Sequence, residues 1–110
     1  MKYKLDSKSK KIVKAIMARD EERQQRQQSG VATDFDNTVK AAIAYATKHI
    51  TLEGVTPSAR THIIAKLYKS LADGTPWEHL GDTYCCRRLF YQYRTEYCYL
   101  VASHMGIIRE

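Results

Sequence analysis

Apolar residues recur every three or four positions along most of this chain, and this spacing restricts the fold more than any other feature. The clearest stripe lies between Thr56-Pro57, which suits the start of a helix, and Gly74, which suits its end. Its members are Ile63, Ile64, Leu67, Tyr68 and Leu71. No segment alternates apolar and polar residues as a half-buried strand does. The sequence therefore predicts an all-α fold of four to five helices.

The same signals set the expected helix bounds. Helices are expected over about residues 7–28, 33–50, 57–73 and 84–104, with a short one over about 75–80. Ser7 or Ser9 is the expected N-cap of the first helix, and Thr33 with Asp36 is the expected capping box of the second.

The first predicted helix differs from the others in its second half. Its apolar residues cover two turns, and after Met17 the chain is polar all round, which is typical of a solvated helix or a fraying arm. Any ion pair there is expected between residues four apart, such as Glu22 and Arg26. We therefore expect residues 1–30 to form a basic N-terminal helix or arm, and residues 31–110 to form a helical domain.

Charge is unevenly distributed along the chain. The sequence holds 18 Lys and Arg against 12 Asp and Glu, a net charge of +6, and the basic surplus lies towards the two ends. This balance favours an anionic partner such as nucleic acid, although solubility alone also explains a basic surface. The lysines near the N-terminus, up to and including Lys14, could contact phosphates, form a membrane-surface segment or serve solubility alone. Of these, Lys8, Lys10 and Lys11 are the expected contacts with DNA phosphates.

The segment that follows Gly74 has the pattern of a helix-turn-helix. Residues 75–78 (Thr-Pro-Trp-Glu) open a short helix, Gly81 breaks it, and a longer helix follows. In this motif the first helix supports the second, whose N-terminal residues enter the major groove of DNA. The sequence thus predicts a helix-turn-helix at about 57–105, with residues 84–104 as the recognition helix.

The last predicted helix has two faces of different chemistry. Its three arginines lie in its N-terminal half, where Arg can contact guanine or phosphate. We expect DNA contacts from Arg87, Arg88, Tyr91 and Arg94, with Cys98 on the same face; a solvated face without a ligand is the alternative. The residues expected in the core are Leu89, Phe90, Tyr93, Tyr97, Leu100, Val101 and His104.

The C-terminal part of the chain also resembles a known family. The segments concerned are TPWEHLGD at 75–82, CRRLFYQYR at 86–94, YCYLVA at 97–102 and GII at 106–108. They are similar to small phage and prophage transcriptional regulators of the RinA/ArpU type, which are related to region four of sigma factors. The resemblance implies DNA binding at promoters of late phage genes. By position it implies that Arg87, Arg88, Tyr91 and Arg94 face DNA, while the short stretch from Trp77 to Asp82 departs from the family pattern.

No catalytic or metal-binding arrangement stands out in the sequence. Cys85, Cys86 and Cys98 follow no metal-ligand spacing, no histidine pairs with a cysteine at zinc-finger spacing, and no Gly-rich phosphate loop is present. We therefore expect no enzyme activity, no cofactor and no metal. Reduced thiols and the lack of a signal or membrane segment favour the cytoplasm of a bacterial host cell.

Two functions from different classes stay open. One is a DNA-binding transcriptional regulator of phage or mobile-element genes, with double-stranded DNA as partner. The other is a small phage-encoded inhibitor or adaptor, such as an anti-CRISPR-like protein, that binds a host protein. The basic charge favours the first, because an occupant of a nucleic-acid channel is usually acidic. Host RNA polymerase and a second copy of the chain are further partners that the sequence leaves open.

Overall fold

Helices form where the apolar spacing predicts them. The computed structural model describes residues 4–108, and within that range it contains five α-helices, one 3-10 turn and no strand. The predicted all-α fold of four to five helices is confirmed. In chain order the elements are α1 (Ser7–Ala18), α2 (Asp20–Gln28), α3 (Asp34–His49), α4 (Pro57–Asp73), the 3-10 turn (Trp77–His79) and α5 (Arg87–His104).

Local capping explains most of these bounds. Thr33 and Asp36 form the predicted capping box at the start of α3. Helix α4 begins at Pro57 with Thr56 as its N-cap, and ends at Gly74, whose φ of 69° lies in the left-handed region that glycine adopts freely. The predicted cap of α1 is wrong. Asp6 takes that position and accepts a hydrogen bond from the backbone N–H of Ser9 at 3.4 Å.

The predicted N-terminal helix is divided at Arg19 into α1 and α2. The second part is not a solvated arm, because Asp20 and Arg23 are buried. Arg23 pairs with Asp20, and the hydroxyl of Tyr68 in α4 also donates to that carboxylate. A helix without apolar residues is thus held against the fold by charged groups that bind one another.

Other ion pairs also differ from the expected ones. Arg26 binds Asp36 at the start of α3 through two hydrogen bonds of 2.7 Å, whereas Glu22 lies 3.7 Å from Arg19. The predicted pair of Glu22 with Arg26 is therefore wrong. The observed pair connects α2 to α3 across a turn of the chain, which helical spacing within one segment does not show.

One core unites α5 with the other helices. Helix α5 packs chiefly on α3 and also contacts α1, α4 and the 3-10 turn. Of the core residues predicted across α4 and α5, most are buried and Tyr93 packs partly buried against them. Helix α1 adds Val13 and Met17, both with no exposed surface, to the same core.

Helix α5 begins three residues later than predicted. Tyr84 adopts a φ of 56°, which is uncommon for a residue other than glycine, and the helix starts at Arg87. Leu89 and His104 were predicted in the core, but both are exposed. The buried line of α5 runs through Phe90, Tyr97 and Val101 instead, and Leu89 is turned about 100° from it because each helical residue advances by that angle.

Within residues 4–108, no helix combines the length and the apolar character that crossing a membrane requires.

Acid is expected to destabilise the fold through the carboxylates that bind arginine. Hydrogen bonds from Arg26 and from the backbone of Thr33 hold the pKa of Asp36 far below its usual 3.8. Burial raises the pKa of Asp20, but hydrogen bonds from Arg23 and Tyr68 outweigh it and lower the pKa. A carboxylate with a depressed pKa adds stability that is fully present above its usual pKa and is lost as the pH falls towards its folded-state pKa. The melting temperature, measured by circular dichroism, should therefore fall from about pH 4 downwards.

Asp36→Asn tests this assignment. The variant should melt lower than the wild type at pH 7, and its melting temperature should change less between about pH 5 and pH 2. Asp34→Asn is the matched control, since it removes an exposed carboxylate from the same first turn of α3. A pH profile of Asp36→Asn parallel to that of the wild type would show that the bond between Arg26 and Asp36 does not cause the acid sensitivity.

Candidate nucleic-acid interface

The loop before α5 is fixed by hydrogen bonds. Trp77 donates from its indole Nε1 to the hydroxyl of Thr83 at 2.8 Å, and that hydroxyl donates to the carbonyl of Cys85 at 2.9 Å. The backbone N–H of Tyr84 donates to the carboxylate of Asp82 at 2.9 Å, which supports the unusual backbone angle of Tyr84. These bonds hold the first turn of α5 in a defined place although no regular helix precedes it directly.

The element before this loop is shorter than the sequence predicted. The segment after Gly74 forms one turn of 3-10 helix, Trp77–His79, and α4 is the nearest long helix before α5. The structure does not confirm a helix-turn-helix here. That motif, with residues 84–104 in the major groove, stays a prediction.

Arg87 and Arg88 lie exposed on the first turn of α5. The guanidinium Nε of Arg87 donates to the carboxylate of Glu78 in the 3-10 turn at 2.9 Å. The carboxylate's contact with its own backbone N–H, and then its bond to Arg87, lower the pKa of Glu78. Arg88 forms no ion pair with any residue of the described range. The two adjacent arginines therefore differ, since one has a carboxylate partner and the other is available.

Tyr91 lies half-buried between two arginines of the same helix. The guanidinium carbon of Arg87 lies 5.2 Å from the centroid of its ring, and that of Arg94 lies 4.7 Å from it. The phenol oxygen accepts a hydrogen bond from the backbone N–H of Trp77 at 3.2 Å. The ring of Tyr91 is thus packed beside both guanidinium groups, and its oxygen accepts a hydrogen bond from the protein. Its contact with DNA stays a prediction.

Arg94 is half-buried, unlike the exposed cation that the sequence predicted. Its guanidinium donates to the hydroxyl of Ser70 near the end of α4 at 3.0 Å, and Ser70 donates to the carbonyl of Thr75 at 2.9 Å. Helical spacing placed Arg94 on the side of α5 with Arg87, but it could not show that α4 covers part of that side.

A pocket of about 220 Å³ brings Arg94 together with lysines of α1. We call it the α1–α5 pocket. Its lining residues are Lys10, Lys14, Tyr91, Arg94, Thr95 and Cys98.

The predicted site residues are divided by this arrangement. Lys10, Tyr91 and Arg94 share the pocket, whereas Arg87 and Arg88 lie beyond it on the first turn of α5, and Lys8 and Lys11 are exposed elsewhere on α1. Lys14 lines the pocket as well, and the sequence had included it among the lysines that could contact phosphate. It lies one turn after Lys10, and residues four apart share a helix face. The sequence could not show that this face meets α5.

Cys98 lies in the wall of the α1–α5 pocket and is buried. Burial raises the pKa of its thiol to about 11, although Arg94, Lys14 and Lys10 act in the opposite direction. The thiol is therefore neutral at pH 7 and is neither a nucleophile nor a negative charge. Within the described range, no three His, Cys, Asp or Glu side chains are grouped so that they could hold a metal ion.

No family model, curated protein or solved structure matches this chain. The similarity to regulators of the RinA/ArpU type thus stays a prediction, and the proposal below depends on geometry and charge.

The placement of Arg94 predicts a role in stability. Arg94→Ala removes the bond to Ser70 and the contact with the Tyr91 ring, and should cost about 1–2 kcal/mol in the free energy of unfolding. Arg88→Ala, on the exposed part of the same helix, should change it by less than about 0.5 kcal/mol. Urea unfolding followed by circular dichroism measures both. Equal stabilities of the two variants would contradict the structural role of Arg94.

Proposed function

We propose that this protein is a DNA-binding transcriptional regulator of phage or mobile-element genes, which places the first half of α5 in the major groove of double-stranded DNA. The observation that carries this proposal is the division of α5. Arg87 and Arg88 are exposed on its first turn, whereas Phe90 and Tyr97 are fully buried. A recognition helix needs this division, with donors where it meets base edges and an apolar side where it packs on the protein.

The loop and the 3-10 turn support the proposed role of α5. A hydrogen bond from Trp77 to Thr83 ties the 3-10 turn to the loop, and one from Trp77 to Tyr91 ties it to the second turn of α5. In a helix-turn-helix protein, a preceding helix holds the recognition helix at a fixed angle. Here the 3-10 turn and its loop take that place, with α4 packed against α5 behind them.

The basic residues of α1 extend the proposed DNA-binding surface. Helix α1 is anchored by Val13 and Met17, so that Lys10 and Lys14 are held beside α5 rather than on a loose arm. Contacts to phosphates position a protein on DNA, whereas contacts to bases give sequence preference. We assign the first task to the lysines of α1 and the second to Arg87 and Arg88. The proposed role is binding, without catalysis or a cofactor.

A second function is favoured by an exposed aromatic side chain elsewhere. Phe35 is 57% exposed and lines a cleft of about 320 Å³ together with Ile16, Arg19 and Glu22. A large exposed aromatic side chain beside a cleft suits contact with another protein. Under this alternative, the chain is a small inhibitor or adaptor that binds a host protein, and host RNA polymerase is one candidate.

The main test is DNA binding at several salt concentrations. Fluorescence anisotropy should show binding to duplex DNA that weakens steeply as salt rises, because bound lysines and arginines release counterions from phosphates. Arg87→Ala or Arg88→Ala should weaken the free energy of binding by about 1–3 kcal/mol on a site obtained by selection from random duplexes. Each should also reduce the difference in affinity between that site and random duplex.

The control is Lys40→Ala, which removes an exposed cation from α3 and should leave the preference for the selected site unchanged. If the wild type does not bind duplex at low salt, DNA is not the partner. In that case, a host protein that binds the immobilised wild type should bind immobilised Phe35→Ala less well.

The bond between Arg87 and Glu78 predicts a variant with stronger binding. The carboxylate of Glu78 competes with DNA for Arg87 and repels phosphates, so Glu78→Gln should tighten DNA binding a few-fold at constant salt. Glu21→Gln, on an exposed position of α2, makes the same change in net charge and should have a smaller effect. Unchanged or weaker binding by Glu78→Gln would place Arg87 away from the DNA.

A further inference from the structure

The α1–α5 pocket is lined by three cationic side chains, and Asp73 lies in an adjoining pocket that Lys14 and Arg94 also line but forms no ion pair with them. Lys10 and Lys14 approach from α1 and Arg94 from α5, and no carboxylate is found among the described residues that line the pocket. Four other arginines (Arg19, Arg23, Arg26 and Arg87) each lie within 3.7 Å of a carboxylate oxygen. No such ion pair involves Lys10, Lys14 or Arg94 within residues 4–108. Like charges brought together by two helices repel one another, and an anion between them removes that cost.

Arg94 is held in position before any ligand binds. Ser70 accepts one hydrogen bond from its guanidinium, and the ring of Tyr91 lies beside the same group. A guanidinium has five N–H donors in a planar fork that suits the oxygens of a phosphate. With one donor used by the hydroxyl of Ser70, several stay available for an anion.

The remaining walls of the pocket are compatible with an oxyanion. Thr95 adds a hydroxyl group to the lining, and Cys98 adds a thiol that stays neutral at pH 7. One water takes up about 30 Å³ in the liquid, so a pocket of about 220 Å³ has room for a phosphodiester group with some hydration water.

The spacing along α5 relates the pocket to the first turn of the helix, which is proposed to contact the bases. Arg94 lies seven positions after Arg87, which corresponds to about 10.5 Å at the helical rise of 1.5 Å per residue. The major groove of DNA is about 12 Å wide. A helix that places Arg87 at the bases therefore brings Arg94 towards the phosphates at the edge of the groove.

On these grounds, and resting on the proposed function, we infer that the α1–α5 pocket binds a single phosphodiester group of the DNA backbone, with Lys10, Lys14 and Arg94 as its donors. The pocket acts as an anchor that is indifferent to sequence. It fixes how far α5 enters the groove, so that Arg87 and Arg88 meet the base edges.

The number of phosphates bound distinguishes a pocket from a diffuse basic surface. Each neutralised phosphate of duplex DNA adds about 0.9 to the slope of log affinity against log salt. Three cations that hold one phosphate share that contribution, and Arg94 keeps its part when both lysines are removed. Lys10→Gln/Lys14→Gln should therefore weaken DNA binding and lower the slope by no more than about 0.9, rather than by about 1.8, equally for selected and random duplex. Lys40→Gln/Lys48→Gln makes the same change in net charge on exposed positions of α3 and should leave the slope unchanged.

A second measurement locates the phosphate. Duplexes that each carry one neutral methylphosphonate should reveal a position at which the wild type loses affinity about tenfold and Lys10→Gln/Lys14→Gln, which retains only Arg94 in the pocket, loses clearly less. Inorganic phosphate is titrated in parallel against the amide resonances of Thr95 and Cys98. Melting curves check that every variant is folded.

The outcomes separate this inference from the proposed function. DNA binding by Lys10→Gln/Lys14→Gln with the same affinity and the same salt slope as the wild type would overturn the pocket and leave DNA recognition intact. A fall in slope of about 1.8 would also overturn it, because the lysines would then contact separate phosphates. No DNA binding by the wild type would overturn both. If inorganic phosphate then still shifted the two amides, the pocket would take free phosphate instead of DNA.

Discussion

Burial of one face of α5 is the constraint on which the rest of the structure depends. Phe90, Tyr97 and Val101 have no exposed surface, and full burial of each large apolar side chain contributes about 1.5–3 kcal/mol. Helices α1, α3 and α4 all contact α5, so the rotation of α5 about its axis is set by these side chains. Once that rotation is fixed, Arg87 and Arg88 cannot turn inwards. The exposed cations are thus a consequence of the core, and their position does not require a bound ligand.

Polar contacts at the edges of this core fix the helices that carry function. Glu96 of α5 is buried and accepts hydrogen bonds from the backbone N–H of Thr51 at 2.6 Å and from its hydroxyl, which ties α5 to the chain just after α3. Asp20 connects α2 to α4 through Tyr68. Within the described residues, every buried side-chain nitrogen or oxygen has a hydrogen-bond partner. Because buried polar groups are costly unless paired, these contacts restrict how the helices can slide, and they keep the basic side of α1 beside α5.

The sequence predicted the class of fold because its information is local. Apolar spacing defines one face of a helix, and the capping box of Thr33 with Asp36 defines a start, so both could be inferred from a single segment. Contacts between segments could not. The burial of Arg23 depends on Asp20 and on the arrival of Tyr68 from α4, and the covering of Arg94 depends on Ser70. The candidate site was predicted to the same extent. The arginines of α5 and the lysines of α1 were found from the sequence, whereas the α1–α5 pocket, which brings Arg94 together with Lys10 and Lys14, depends on how two helices pack.

The two cationic groups of this protein suit different tasks under the proposed function. Arg87 is exposed and bonded to Glu78, and an exposed ion pair is weak enough to exchange for another acceptor. Specificity is a difference between affinities. Glu78 competes for Arg87 and therefore weakens the binding of Arg87 to any DNA. A guanine offers Arg87 two acceptors and so replaces the bond to Glu78 better than a single phosphate oxygen does. Among the described residues, no carboxylate lines the α1–α5 pocket, and Arg94 is held there by its bond to Ser70. Affinity would then come from the pocket, and discrimination between sequences from the first turn of α5. Glu78 would lower the affinity for sequences that offer Arg87 no guanine.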